Sequence, residues 1–156
     1  MKAIHSMIAA LGPAFVCPAP ADAGQFDPEV IIYRFPGVKD DGGANLVGVA
    51  TVINCTNFSG ATEVIRYVVR DDESAIRFNS TALVIHLTTV AAVTHTNAAY
   101  TGGNMSTGFI NTGTIAIAAT SINIICTAMV LDAANSKPTG VALRGIRFSP
   151  IPGSQE

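Results

Sequence analysis

The run Ser121-Ile122-Asn123-Ile124-Ile125-Cys126-Thr127-Ala128-Met129-Val130-Leu131 decides the fold class. It is apolar, rich in β-branched residues and shorter than a membrane span, which is how a buried strand reads. A second run of the same kind, Leu46-Val47-Gly48-Val49-Ala50-Thr51-Val52-Ile53-Asn54-Cys55-Thr56, also carries a cysteine followed by threonine. If Cys55 and Cys126 pair, strand alternation sets Val47, Val49, Thr51 and Ile53 on the face of Cys55, and Ile124, Ala128 and Val130 on the face of Cys126. Two largely apolar faces then oppose one another, and the bridge is expected to join two packed sheets. Two buried thiols are the alternative.

Composition supports a β protein. Hydrophobic residues make up 49% of the 156 residues and charged residues 13%, a balance that disfavours disorder. One domain with one core is expected at this length. Nine basic and eleven acidic residues give a formal net charge of -2. That balance offers no basic footprint for nucleic acid or an anionic membrane surface.

Residues 1–23 have Lys2 near the start, the apolar run from Met7 to Val16, and Ala21-Asp22-Ala23 before Gly24. This pattern predicts an export signal with a small-x-small cleavage site, leaving 24–156 as the mature domain. Cys17 offers the alternative of an acylated lipoprotein start, disfavoured by the bulky Val16 before it. The location expected is the periplasm or the extracellular space, where a Cys55–Cys126 disulfide is the default. No later run reaches the roughly 18 apolar residues of a membrane helix.

Further strands are expected at Val30–Phe35, ended by Pro36-Gly37, and at Thr62–Arg70. The latter is placed in an antiparallel hairpin with the strand before it, because the intervening loop is short. Lys39-Asp40-Asp41-Gly42-Gly43 reads as a mobile surface loop and Asp71-Asp72-Glu73 as an acidic turn. Ala75–Leu87 reads as a strand broken near Asn79-Ser80, followed by strands at Thr88–Thr96 and Thr114–Thr120. Residues 97–113 form a long polar segment that either carries function or hides a short strand near Phe109 and Ile110. In Gly140–Phe148 the alternation changes phase at Gly145. A β-bulge there would turn Val141, Leu143, Ile146 and Phe148 inward and Arg144 and Arg147 outward. The sum is an all-β antiparallel sandwich of about seven to eight strands, immunoglobulin- or fibronectin-like in architecture.

Cys55-Thr56-Asn57-Phe58-Ser59-Gly60, then Ile125-Cys126-Thr127-Ala128-Met129, and the ending Arg147-Phe148-Ser149-Pro150-Ile151-Pro152-Gly153-Ser154-Gln155-Glu156 together resemble a group of short, uncharacterised, exported bacterial proteins. The resemblance spans nearly all of the mature chain. It implies export and paired cysteines, and no activity.

Few residues suggest chemistry. Outside the signal, only His86 and His95 can serve as the histidine base of a nucleophilic triad, and neither lies beside a nucleophile elbow. With Met105 they form a candidate metal-ligand set, and the acidic turn Asp71-Asp72-Glu73 is a second, calcium-type candidate, but no metal or other cofactor is expected. Tyr100 and Phe109 offer an aromatic platform in the 97–113 segment. Arg66, Arg70, Arg144 and Arg147 would form a basic stripe if their strands were neighbours. The leading expectation is a non-enzymatic exported protein with a structural, adhesive or binding role. A module for glycans or other polar ligands using residues 97–113, and a small hydrolytic or metal-dependent enzyme using His86 or His95, are the alternatives. A protein partner at the cell surface fits the first of these. Sequencing the exported protein should give an N-terminus at Gly24; an acylated Cys17 start would replace this assignment with the lipoprotein one.

Overall fold

The computed structural model describes residues 29–43, 45–101 and 103–148. The expected export signal and Cys17 lie outside these residues, as do the two ends of the expected 24–156 domain. Nine strands form, and no helix occurs among the described residues. They are β1 (Val30–Asp40), β2 (Val49–Asn57), β3 (Glu63–Arg70), β4 (Ile76–Val84), β5 (Thr89–Val93), β6 (Ile110–Ala119), β7 (Ile124–Asp132), β8 (Gly140–Leu143) and β9 (Ile146–Arg147). One sheet has the order β4-β3-β6-β1-β9 and the other β5-β2-β7-β8, with all strand pairs antiparallel. The sandwich is therefore present, with nine strands in place of the seven to eight expected, the single run expected at 140–148 dividing into β8 and β9 at the edges of different sheets.

Alternation places the core. In β3, Glu63, Ile65, Tyr67 and Val69 are buried, while Val64, Arg66 and Val68 are half-exposed. Ile115 and Ile117 of β6 and Ile53 of β2 are sealed from solvent and meet Ile32, Phe35 and Ile124 between the sheets. Each such side chain contributes roughly 1.5–3 kcal/mol by leaving water, so this layer fixes which face of every strand turns inward.

The disulfide forms, but not as expected. Cys55 and Cys126 are direct cross-strand partners in the β2–β7 ladder, with Cα atoms 4.2 Å apart. The bridge lies within one sheet and does not join the two. Both cysteines are on the inner face, as alternation required; what alternation cannot say is that their strands are adjacent. Val47 and Val49, expected on that inner face, are exposed at the mouth of the strand. Closing a chain separation of 71 residues stabilises the fold by about 4 kcal/mol in the chain-entropy model.

Four other expectations change. Pro36-Gly37 does not end β1, which continues to Asp40 through register shifts, Gly37 taking φ +84° within one of them. These irregularities accommodate a proline that has no N–H for the ladder. β4 is unbroken through Asn79-Ser80. β2 and β3 do not form a hairpin: the chain crosses from one sheet to the other between them. Asn57 supports that crossing, its buried amide donating to the carbonyls of Ala61 (2.7 Å) and Val84 (2.9 Å) while its Oδ1 accepts from Ser59 N (2.8 Å).

The fourth concerns Gly145, which is no bulge. β8 pairs with β7 and β9 with β1, so the chain changes sheets at Arg144-Gly145. Val141, Ile146 and Phe148 are exposed and only Leu143 is partly buried. The alternation slip records a change of sheet. Glycine is required there for space, since a Cβ would lie 2.2 Å from Phe35 Cε1. Gly145→Ala is therefore expected to lower stability by about 1–3 kcal/mol through overpacking against that ring, measured by urea denaturation. A variant with unchanged midpoint and slope would show that Phe35 yields freely.

Candidate functional site

Two places gather chemistry. The first is one end of the sandwich, where β1 finishes at Asp40 and the segment after β5 brings in His95. Threonines fix this end: Thr51 Oγ1 donates to Lys39 O (2.9 Å), Lys39 N donates to Thr51 Oγ1 (2.9 Å), and Thr51 N donates to Thr94 Oγ1 (3.0 Å). These bonds tie β1 of one sheet to β2 and the β5 extension of the other. They hold Asp40 and His95 face to face.

His95 Nδ1 lies 2.9 Å from Asp40 Oδ1 and 3.9 Å from Asp41 Oδ1. The former is hydrogen-bond distance, at which an ionised carboxylate accepts from an N–H on Nδ1. Both His95 and Asp40 are 1% exposed, while the Asp41 side chain is 36% exposed. Asp40 Oδ1 also accepts from Gly42 N (2.8 Å), and Asp41 accepts from Gly43 N and Val49 N (both 3.2 Å). Asp40 Oδ2 is buried without a hydrogen-bond partner. Gly48, at φ +80°, leaves the space that the Asp41 carboxylate fills: a Cβ there would lie 1.3 Å from Asp41 Oδ2. Beside the cluster, Tyr100 packs against Ala50, Val93, Ala98 and Ala133 on the outer side of β2. Burial, then the charges of Asp132 and Asp40, push its phenol up to about 12.

The second place is a cleft of about 230 Å³ between the edges of β4 and β5. Residues 103–107 run alongside β5, with Met105 N donating to Val93 O (2.8 Å), Val93 N to Gly103 O (2.7 Å) and Thr107 N to Thr94 O (2.9 Å). Gly103 passes so near β5 that a Cβ would lie 2.1 Å from Ala91 O. Part of the expected loop thus covers an open sheet edge, as edges require. Tyr67 lines the cleft, 3% exposed, and its hydroxyl has no hydrogen-bond partner. Burial pushes its pKa upward. Phe78, Val90 and Met105 supply apolar wall, and Ser80, Thr81 and Asn104 supply polar groups.

The other expected site residues are dispersed. His86 is at the opposite end of β5 from His95, its Nδ1 accepting from Gly60 N at 3.0 Å, so the set His86, His95 and Met105 does not assemble. Met105 is core instead. Tyr100 is half-buried against Ala50, Val93, Ala98 and Ala133 while Phe109 is exposed, so the two make no platform. The arginine stripe does not form either, because β3 and β9 are separated by β6 and β1. Arg66 pairs with Glu29 (2.6 Å), Arg70 donates to Ser74 O (2.7 Å), and Arg147 donates to Ile122 O (2.6 Å) and covers the Tyr33 ring. Arg144 is exposed in the crossing between sheets. Asp40 and Asp41 escaped sequence reading because the irregularities of β1 hide its continuation to Asp40. The acidic doublet after Val38 was the available signal.

No protein-family model, no curated protein and no solved structure matches the chain. Among the described residues no helix is long and apolar enough to cross a membrane.

Removing the imidazole would leave the Asp40 carboxylate buried opposite an apolar group. His95→Leu should cost about 3–5 kcal/mol, the penalty for breaking a buried charge pair from one side. Guanidinium denaturation measures it; a loss below about 1 kcal/mol would mean that the pair contributes little to folding.

Proposed function

We propose that the protein is an exported, non-enzymatic β-sandwich that binds a small uncharged ligand in the cleft between β4 and β5. The observation that carries this reading is the Tyr67 hydroxyl, buried and without a partner in a cleft of about 230 Å³. A buried polar group in that condition costs about 1–3 kcal/mol unless something arrives to satisfy it. The lining has no charged side chain among the described residues, so it selects against ions. Apolar wall on Phe78 and Val90 with hydrogen-bonding groups on Tyr67, Ser80, Thr81 and Asn104 suits a single sugar unit, which has one apolar face and a rim of hydroxyls. The volume is below that of sites for drug-sized molecules, which again favours a small unit.

This is the polar-ligand alternative of the sequence reading, moved from Tyr100 and Phe109 to the 103–105 stretch of the same segment. The Cys55–Cys126 bridge supports residence in an oxidising compartment. The non-enzymatic part rests on the histidines: His95 is sealed against Asp40 and His86 holds a turn.

Titration of the isotope-labelled protein with neutral mono- and disaccharides at millimolar concentration is the test. Amide shifts should move at Ser80, Thr81, Asn104 and Met105, and should not move in Ser80→Trp, which plugs the cleft. In the same assay Tyr67→Phe should bind more weakly while being as stable as the parent or about 1 kcal/mol more so. No movement across the panel, or equal movement in the plugged variant, would reject the cleft as a sugar site.

A further inference from the structure

The geometry points to a second site of different chemistry: Asp40, Asp41 and His95 hold a divalent cation of the zinc class that clamps the end of the sandwich. One donor atom from each residue lies within 4.8 Å of the others. Donors around a tetrahedral zinc ion, at bonds of 2.0–2.2 Å, are about 3.4 Å apart. The two separations from His95 Nδ1, 2.9 Å to Asp40 Oδ1 and 3.9 Å to Asp41 Oδ1, bracket that value. Little rearrangement is needed.

A second observation concerns the same Asp40 carboxylate. Asp40 Oδ2 is buried without a partner although Oδ1 of the same carboxylate is bonded twice. Two carboxylates converge on one ring that offers at most a single positive charge. Among the described residues Lys39 forms no ion pair with either carboxylate, its Nζ donating instead to Asn111 O at 2.9 Å. A hollow of about 180 Å³ lined by Lys39, Asp40, Asp41, Val49, Phe109 and Asn111 gives a route from solvent to the carboxylates.

Donor type selects the ion. Two carboxylates with one imidazole suit zinc, whereas calcium and magnesium prefer all-oxygen shells. Coordination through Nδ1 requires that nitrogen to give up its proton, leaving the ring neutral with its N–H at Nε2. Asp40 and Asp41 come from the β1 end of one sheet and His95 from the β5 extension of the other, so the ion would connect the two sheets. The in-sheet disulfide makes no such connection. Binding to the folded state alone then raises stability in proportion to RT ln(1 + [L]/Kd).

The experiment uses the oxidised full-length mature protein freed of metal by chelation. Addition of Zn2+ should raise the melting temperature and give a one-to-one calorimetric isotherm, and Co2+ should produce visible absorption of a low-symmetry site. Asp41→Asn changes only the exposed ligand, so it should fold and weaken Zn2+ binding by more than about tenfold. Asp72→Asn in the β3–β4 turn and His86→Ala should bind as the parent does. Absence of both heat and thermal shift in the parent would overturn the proposal. So would retention of full affinity in Asp41→Asn, or loss of it in His86→Ala, since either would place the ion elsewhere.

Discussion

The pairing of β2 with β7 is the constraint on which the rest of the structure depends. Nine residues of each strand are in continuous register, from Val49 opposite Asp132 to Asn57 opposite Ile124, and the cysteines fall opposite one another within it. A slip of one residue would turn Ile53, Cys55, Ile124 and Ala128 to the outer face together. The covalent bond forbids that slip. With this ladder fixed, β5 and β8 add to its two sides, and the sheet presents one apolar face on which β3, β6 and β1 close.

Because the disulfide is contained in one sheet, cohesion between the sheets comes from elsewhere. Most comes from the interdigitated isoleucines of the central layer. At the end where β1 finishes it comes from polar groups, the Thr51, Lys39 and Thr94 bonds and the Asp40–His95 pair. Buried polar groups of this kind are costly unless satisfied. Most of them are, and of the exceptions at this end, Asp40 Oδ2 and the Tyr100 hydroxyl, the first is at the place where three potential metal ligands meet. The cleft shows the same logic, with the unsatisfied Tyr67 hydroxyl at the gap between two sheet edges.

Glycine at the crossings links local sequence to these sites. Gly145 lets the chain pass the Phe35 ring, Gly103 lets the 103–107 segment approach β5, and Gly48 makes room for Asp41. None belongs to an ordinary turn between adjacent strands. Each marks a point where two pieces of backbone or side chain come too close for a Cβ.

The amino-acid sequence by itself determined the class of the protein. Period-two burial in Ile65, Tyr67 and Val69, inward Ile115 and Ile117, the acidic turn at Asp71 and the pairing of Cys55 with Cys126 were all legible, because alternation and turn chemistry are local properties of the chain. The tertiary structure decided which strands are neighbours. Local pattern states which face of a strand is apolar and is silent about its partner, so the in-sheet position of the disulfide, the sheet change at Gly145 and the separation of the arginines were not available from it. For the same reason the candidate site was only half visible: His95 stood out as a rare residue, whereas Asp40 and Asp41 acquired meaning when β1, bent by its irregularities, delivered them against a histidine 55 positions away.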